Sequence, residues 1–241
     1  MKIITAIFAI FLAAPALGQT IVDGQKKYDS GDYNGAAAAF SKALVDEPRN
    51  PALHYDLGNA WFKAGKLGPA IASYQRAFDI RPRDPDIRYN LNFALKRAGE
   101  ELRPDGTPPA LFYLFTILSE RELAGLHWLF CAAMLLLGCV LVLRPQRRED
   151  LFPFLASAVL LWAGAGLWWG SRNALEPEDR GVIVKSTAEL RSGPGENFGV
   201  SFTAPEGRRV QILSRSGGWL EIGITKEGAK GWLPSEAVEK I

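Results

Sequence analysis

The chain has 241 residues, of which 48% are hydrophobic, and its 28 basic and 26 acidic residues leave a formal net charge of +2. Because no basic stripe concentrates this charge, nucleic acid is excluded as an expected partner. The two cysteines, Cys131 and Cys139, lie in an apolar stretch, so the polar regions have no disulfide framework, thiolate nucleophile or cysteine metal site.

The first residues have the pattern of an export signal. Lys2 makes the start positive, residues 3–13 form an apolar run, and the small residues Ala16 and Gly18 stand at −3 and −1 of a candidate cleavage site. The run is shorter than a comfortable transmembrane helix. We predict a signal peptide over residues 1–18. An uncleaved N-terminal anchor is the alternative, and both interpretations export the region that follows.

Residues 19–98 repeat with a period of 34. The recurring positions are Gly24, Gly31, Ala36, Phe40, Ala43 and Pro48 in the first unit, and Gly58, Gly65, Ala70, Tyr74, Ala77 and Pro82 in the second. A third unit begins at Pro85 and stops after one helix. This period, with small residues where paired helices cross, resembles the tetratricopeptide repeat. The resemblance implies an α-helical region of two repeats plus a capping helix, whose stacked pairs share one core.

Repeats of this family bind partners on the concave face formed by the first helix of each pair. The residues that the resemblance places on that face are Tyr55, Asn59, Phe62, Lys63, Tyr89, Phe93, Lys96 and Arg97. Aromatic, amide and cationic side chains together suit an extended peptide or a terminal carboxylate, because they supply stacking area and charge-assisted donors. The alternative is that some of them are common choices of the family without a ligand. His54 stands at a packing position and is predicted to be structural.

Two long uncharged stretches follow a linker, residues 99–109, that is rich in Pro and Gly. Residues 110–122 begin with a short apolar run, which suits an interfacial segment. The stretches at 123–143 and 151–170 are each long enough to cross a bilayer as a helix. The sequence therefore predicts a two-helix transmembrane hairpin, with the lipid bilayer as a partner.

The loop between the two stretches determines the expected orientation. Residues 144–150 include Arg144, Arg147 and Arg148, and a basic excess of this kind is typical of the cytoplasmic side. The export signal independently places the repeats outside, so residues 171–241 are expected outside as well. We predict a bacterial inner-membrane protein with both polar regions on the periplasmic side.

After a second linker, residues 171–180, the pattern changes to about five β-rich segments within residues 181–241. Ser216, Gly217 and Gly218 fit a tight hairpin turn. The domain resembles the bacterial SH3-like domain in three marks: Ala188–Gly195 (AELRSGPG), Gly218-Trp219 and Gly231-Trp232-Leu233. The resemblance implies a small all-β barrel that binds cell-wall peptides or partner proteins. The candidate surface residues are Phe198, Trp219 and Trp232.

No catalytic motif is found: the sequence has no GxSxG, no HExxH and no Walker loop. Its carboxylates are interspersed with Lys and Arg, as on solvated surfaces. We therefore predict a non-enzymatic protein without catalytic residues, metal or cofactor.

The order of the domains, together with Arg88–Arg97 (RYNLNFALKR), resembles one component of the Bat (aerotolerance operon) protein group. This resemblance implies an envelope scaffold that works with von Willebrand A domain membrane proteins and a MoxR-type ATPase in stress tolerance. The alternative is a protein that binds or senses peptidoglycan through its SH3-like domain.

Overall fold

The computed structural model describes residues 18–103, 106–175, 179–224 and 226–241. The chain forms two compact units. One combines the segment up to Thr107 with Asp179–Ile241, and the other is the intervening segment Pro108–Glu178. The predicted signal peptide, residues 1–18, lies outside the described residues except for Gly18.

Helices form the N-terminal part of the first unit. The side chains of Asp32, Asn50 and Asp84 accept hydrogen bonds from backbone N–H groups in the first turns of three of them, as N-cap residues do. The connections within each pair place Gly31 and Gly65 at φ of 84° and 77°, a conformation that favours glycine. The helices are α1 (residues 18–29), α2 (Tyr33–Asp46), α3 (Pro51–Lys63), α4 (Leu67–Ile80) and α5 (Pro85–Arg97).

The paired helices cross where glycine leaves room for an aromatic ring. A Cβ added at Gly24 would lie 2.7 Å from the ring of Phe40, and one at Gly58 would lie 2.5 Å from the ring of Tyr74. Phe40 and Tyr74 are 1% and 2% exposed. Because interiors are close-packed, a larger residue fits at neither crossing without movement. This explains why glycine and an aromatic residue recur together in each repeat.

The second unit consists of α6 (Pro109–Thr116), α7 (Glu120–Leu143), a 3₁₀ turn (Pro145–Arg147) and α8 (Arg148–Leu175). Ser119 and Glu122 form a capping box that opens α7. α7 and α8 are long and apolar enough to cross a membrane by length and composition. α8 extends five residues beyond 170, into the predicted linker, because Arg172 is buried and donates to the carbonyl of Leu118 at 2.5 Å.

The C-terminal part of the first unit is an antiparallel sheet with seven described strands in the order β3-β2-β6-β5-β4-β1-β7. Sequence patterns predicted about five segments, because β1 and β7 have four and three residues, too few to show an alternation. Gly217 and Gly218 form the predicted two-residue turn, with φ of 52° and 83°. The strands are β1 (Arg180–Ile183), β2 (Thr187–Arg191), β3 (Val200–Pro205), β4 (Arg209–Ser216), β5 (Trp219–Ile224), β6 (Ala229–Pro234) and β7 (Val238–Lys240).

The β domain packs on the helices, so the two form one body. α4 contacts β1 and β7. Val182 of β1 is fully buried in the same apolar cluster as Ile71 and Leu91 of the repeats. The approach is close: a Cβ added at Gly68 would lie 2.3 Å from the carbonyl oxygen of Ile183. We call this contact the docking face of the repeats.

Ion pairs surround the docking face. Glu100 is 8% exposed and accepts hydrogen bonds from Arg208 at 2.8 Å and Arg209 at 3.4 Å. Two further pairs join α4 to the strands: Arg76 with Glu239 (2.5 Å) and Arg180 with Asp79 (3.2 Å). The expectation that the carboxylates lie on solvated surfaces is therefore wrong for Glu100. The fold brings together acids and bases that are far apart along the chain.

Candidate partner-binding groove

The first helices of the repeats, α1, α3 and α5, line a groove with a cavity of about 450 Å³. We call it the groove face. Its lining residues are Tyr28, Tyr55, Asn59, Phe62, Lys63, Tyr74, Tyr89, Asn90 and Phe93. The groove therefore brings together all but two of the residues predicted for the concave face. The exceptions, Lys96 and Arg97, are exposed on α5 and do not line the cavity.

A hydrogen-bonded network forms the floor of the groove. The Tyr74 hydroxyl donates to Oδ1 of Asn59 at 2.7 Å, and Nδ2 of Asn90 donates to the same oxygen at 3.1 Å and to the Tyr55 hydroxyl at 2.9 Å. Burial raises the pKa of Tyr74, so this donor stays protonated. The Asn59 side chain also hydrogen-bonds the Tyr55 hydroxyl, whereas Oδ1 of Asn90 makes no hydrogen bond among the described contacts. An acceptor, Oδ1 of Asn90, is thus left for a peptide N–H group.

Aromatic rings form the wall of the groove along α5. The Phe62 and Phe93 ring centroids are 5.7 Å apart, and Tyr89 stacks on Phe93 at 6.4 Å with an interplanar angle of 11°. Tyr89 is 69% exposed and Phe93 is 47% exposed. Arg97 lies with its guanidinium carbon 5.3 Å from the Phe62 centroid, a cation–π geometry. Exposed apolar area bounded by polar groups is typical of an interaction site.

Sequence reasoning missed three residues of the groove, namely Tyr28, Tyr74 and Asn90. Tyr28 stands 34 residues before Phe62, so the repeat period contained a signal for it. The first repeat is the weaker match to the family, so its groove position is less evident from the sequence. Tyr74 is a recurring position of the repeat, and it belongs both to the core and to the groove floor. Tyr55 packs partly into the core, so it is a poorer surface probe than Tyr89.

The predicted SH3-like surface residues lie on the β domain away from its buried face. Trp232 of β6 is the cross-strand partner of Arg191 and of Glu221, and Trp219 is the partner of Pro234. Leu220 and Leu233, the alternate residues, are buried. Both tryptophans are half-buried, and Phe198 in the loop before β3 is 43% exposed. We call this surface the tryptophan face.

His54 occupies a structural position. It is 6% exposed, and its Nε2 lies 2.9 Å from the carbonyl oxygen of Pro48. Burial lowers the pKa of His54 below its ordinary value. In the described part of the chain, no group of three or more His, Cys, Asp or Glu residues is placed to hold a metal ion.

Two family models match separate parts of the chain. One, the tetratricopeptide repeat, matches residues 24–85, and the other, the bacterial SH3 domain, matches residues 186–239. The chain therefore contains tetratricopeptide repeats followed by a bacterial SH3 domain, while neither match extends to half of its length.

Curated relatives match over short segments. "Putative N-acetylmuramoyl-L-alanine amidase YrvJ" of Bacillus subtilis (strain 168) is 36% identical over 59 residues, which are 24% of this chain and 11% of that protein. "Probable cell wall amidase LytH" of Staphylococcus aureus is 32% identical over 57 residues, 23% of this chain and 20% of that protein. The matches lie over the bacterial SH3 region, and the chain spans a fifth or less of the relatives' length.

Among solved structures, MamA protein is 16% identical, with 67% of this chain and 96% of that chain covered and a TM-score of 0.35. The Yersinia enterocolitica type III secretion translocator chaperone SycD is also 16% identical, with 64% and 93% covered and a TM-score of 0.34. Scores this low carry no argument about function.

Proposed function

We propose that this protein is a non-enzymatic, membrane-anchored interaction scaffold of the bacterial envelope that holds an extended segment of a partner protein in the groove face. The observation that supports it is the lined cavity of about 450 Å³, with exposed rings on α5 beside the side-chain amides of Asn59 and Asn90. Tetratricopeptide repeats are binding modules, so the fold and the surface chemistry agree. The short groove limits the contact area, and we expect micromolar affinity, about −8 kcal/mol.

The anchor in this proposal is the hairpin of α7 and α8. Both helices are apolar over a membrane-spanning length, and the loop between them exposes Arg144, Arg147 and Arg148. With the loop in the cytoplasm, the repeats and the SH3 domain would both face the periplasm. Single cysteines at Gln146 and Ser235, in a background without Cys131 and Cys139, test this orientation. An impermeant thiol reagent should label only residue 235 in spheroplasts, and labelling of residue 146 would overturn it.

Within this proposal, the domain order and the Arg88–Arg97 stretch support a place in a Bat-type aerotolerance complex. The partners would then be von Willebrand A domain membrane proteins and a MoxR-type ATPase. The chemistry of the groove sets no preference between these and other protein partners. Identification of captured proteins in native membranes is therefore the direct measurement.

A photo-crosslinking side chain placed at Tyr89, in the full-length chain in its own membrane, tests the groove. We expect capture of a specific partner that is lost when Asn59→Ala and Lys63→Ala are added. The matched control is the same group at Val45 of α2, which is 79% exposed and does not line the groove. Equal capture from both positions, or none from residue 89, would contradict a partner site in the groove.

A second candidate function is binding of the cell wall through the tryptophan face. The amidase relatives match this region, and the face combines two tryptophans, Pro234 and Arg191 on adjacent strands. Pull-down of the full-length protein with purified sacculi tests it, with Trp219→Ala as the variant. Retention that depends on Trp219 and not on Tyr89 would favour wall binding over the scaffold.

A further inference from the structure

A second, smaller cavity lies beside the groove, where α1 faces α3. It has a volume of about 130 Å³ and is lined by Gln25, Tyr28, Phe40, Asp56 and Asn59. A single water requires roughly 10–15 Å³, so the space exceeds that of one buried water. Tyr28 and Asn59 also line the larger groove, and the two cavities are therefore adjacent. A segment bound in the groove can insert a side chain here.

Asp56 is the charged group of this cavity, and no cation of the described residues pairs with it. Its side chain is half-buried and makes no hydrogen bond or ion pair among the described contacts. The neighbouring polar groups of α1 are engaged elsewhere: Lys27 pairs with Asp23 at 3.1 Å, and Gln25 donates to Asp29 at 2.8 Å. A carboxylate that is partly desolvated without a partner is unfavourable. Burial accordingly raises the pKa of Asp56.

We propose that this cavity receives the charged head group of an Arg or Lys residue from the partner segment in the groove. The inference rests on the proposed function and specifies its ligand. Asp56 would supply the counter-charge, and the half-buried amide of Asn59 also lines the cavity. Tyr28 adds an aromatic surface for a cation.

The opposite end of the groove has the opposite charge. Lys63 lies on its rim and Arg97 covers Phe62, so a basic side chain is disfavoured there. The pocket at Asp56 therefore fixes both the position of the basic residue and the direction of the segment. The basic residue lies toward α1, and apolar or acidic residues lie toward α5.

The probe is a phage-displayed library of random dodecapeptides, selected on the full-length protein in detergent micelles and on the Asp56→Asn variant. The matched control is Asp46→Asn, which removes the same charge from an exposed site at the end of α2. We expect the parent and the control to select sequences with a basic residue at one fixed position. The Asp56→Asn protein should lose this preference and keep the preference for apolar flanking residues.

A selected peptide is then synthesised with arginine or with its neutral isostere citrulline at that position. The replacement should weaken binding to the parent by about tenfold, and by much less to Asp56→Asn, since charge-assisted hydrogen bonds exceed neutral ones. The melting temperature of Asp56→Asn should equal or exceed that of the parent, which separates lost recognition from lost folding. Selected peptides without basic enrichment, or with equal enrichment on both proteins, would contradict the proposal that the cavity binds a basic side chain. They would not contradict the proposed scaffold function. If no selected peptide requires Tyr89 for binding, both the basic-residue pocket and the groove as a partner site are contradicted.

Discussion

The groove face and the docking face belong to the same short repeats, yet they differ in whether their polar groups have partners within the protein. On the docking face, Glu100, Arg76 and Asp79 each meet an opposite charge contributed by the SH3 domain. On the groove face, no cation of the described residues pairs with Asp56, and Oδ1 of Asn90 accepts none of the described hydrogen bonds. Buried polar groups are normally satisfied inside a protein. The difference identifies the docking face as a completed interface and the groove as an incomplete one.

The same comparison explains what the SH3 domain does for the repeats. The third repeat consists of α5 alone, so the apolar surface of α4 and α5 lacks the helix that would follow. Val182 is fully buried there, and Ile241 packs against the same cluster. Solenoids need a terminal unit with a polar outer surface. The SH3 domain occupies that terminal position, which makes it a structural cap in addition to any ligand that it binds.

Four substitutions or conditions test this comparison through the unfolding of the full-length chain in detergent, followed by circular dichroism. Gly58→Leu should have the largest effect, a loss of at least about 3 kcal/mol, because overpacking at this crossing displaces the Tyr74 ring. That ring belongs to the core and to the groove floor, so both faces fail together. Gly199→Leu, with nothing within 4 Å of the added carbon, is the control. If the Gly58→Leu protein melts like the parent, Gly58 is not a close helix crossing.

Glu100→Gln should destabilise by about 2 kcal/mol, because two arginines lose their shared, buried counter-charge. The loss is smaller than for an isolated pair, since Arg208 also pairs with Glu227 at 2.8 Å. Hydrogen exchange should increase in β1 and α4, while the groove keeps its ligand. Glu101→Gln is the matched control, since its side chain is exposed. Equal effects of both variants would show that the docking face does not depend on Glu100.

Acidification from pH 7 to pH 5 should cause a smaller loss of folding stability, through protonation of His54. Burial lowers its pKa in the folded state, so the unfolded chain binds the proton first. The stability is fully present above the unfolded pKa, near 6.5, and is lost as the pH falls from there through the folded pKa. His54→Gln should flatten the profile over this interval. A slope that survives the substitution would point to other groups.

Tyr89→Ala should have the smallest effect on stability, within about 0.5 kcal/mol, because 69% of this side chain is exposed. Its effect on partner capture should nevertheless be large, as aromatic anchors commonly contribute about 2 kcal/mol or more to binding. Tyr74→Ala, in the same groove at 2% exposure, is the control and should cost about 3–5 kcal/mol. Comparable melting of the two variants would contradict the division into wall and floor.

Most of the groove was predictable because its residues follow the repeat period, which assigns each position of the repeat to one face of a helix. Tyr55, Asn59 and Phe62 recur at the same face as Tyr89 and Phe93, and all five line the cavity. Lys96 and Arg97 do not line it: both are exposed at the end of α5, where Arg97 stacks on the Phe62 ring. Whether a residue at the end of α5 reaches the cavity depends on tertiary packing, which the position in the repeat does not specify.

The SH3-like surface was predictable for a similar reason. Alternation along β5 and β6 assigns Trp219 and Trp232 to the face opposite Leu220 and Leu233. The docking face had no comparable signal. Arg208 and Glu100 are 108 positions apart, and the apolar hairpin separates them in the chain.

By itself, the sequence determined the features whose causes lie within a few residues. The N-caps, the glycines at positive φ, the Gly217-Gly218 turn and the two apolar helices all follow from local geometry and periodicity. Only the tertiary structure decided that Val182 completes the core of the repeats and that Asp56 meets no cation among the residues that the structure describes. Both depend on which distant groups meet, since desolvation and pairing are set by neighbours in space. The sequence alone does not distinguish a carboxylate on a solvated surface from one in a binding pocket.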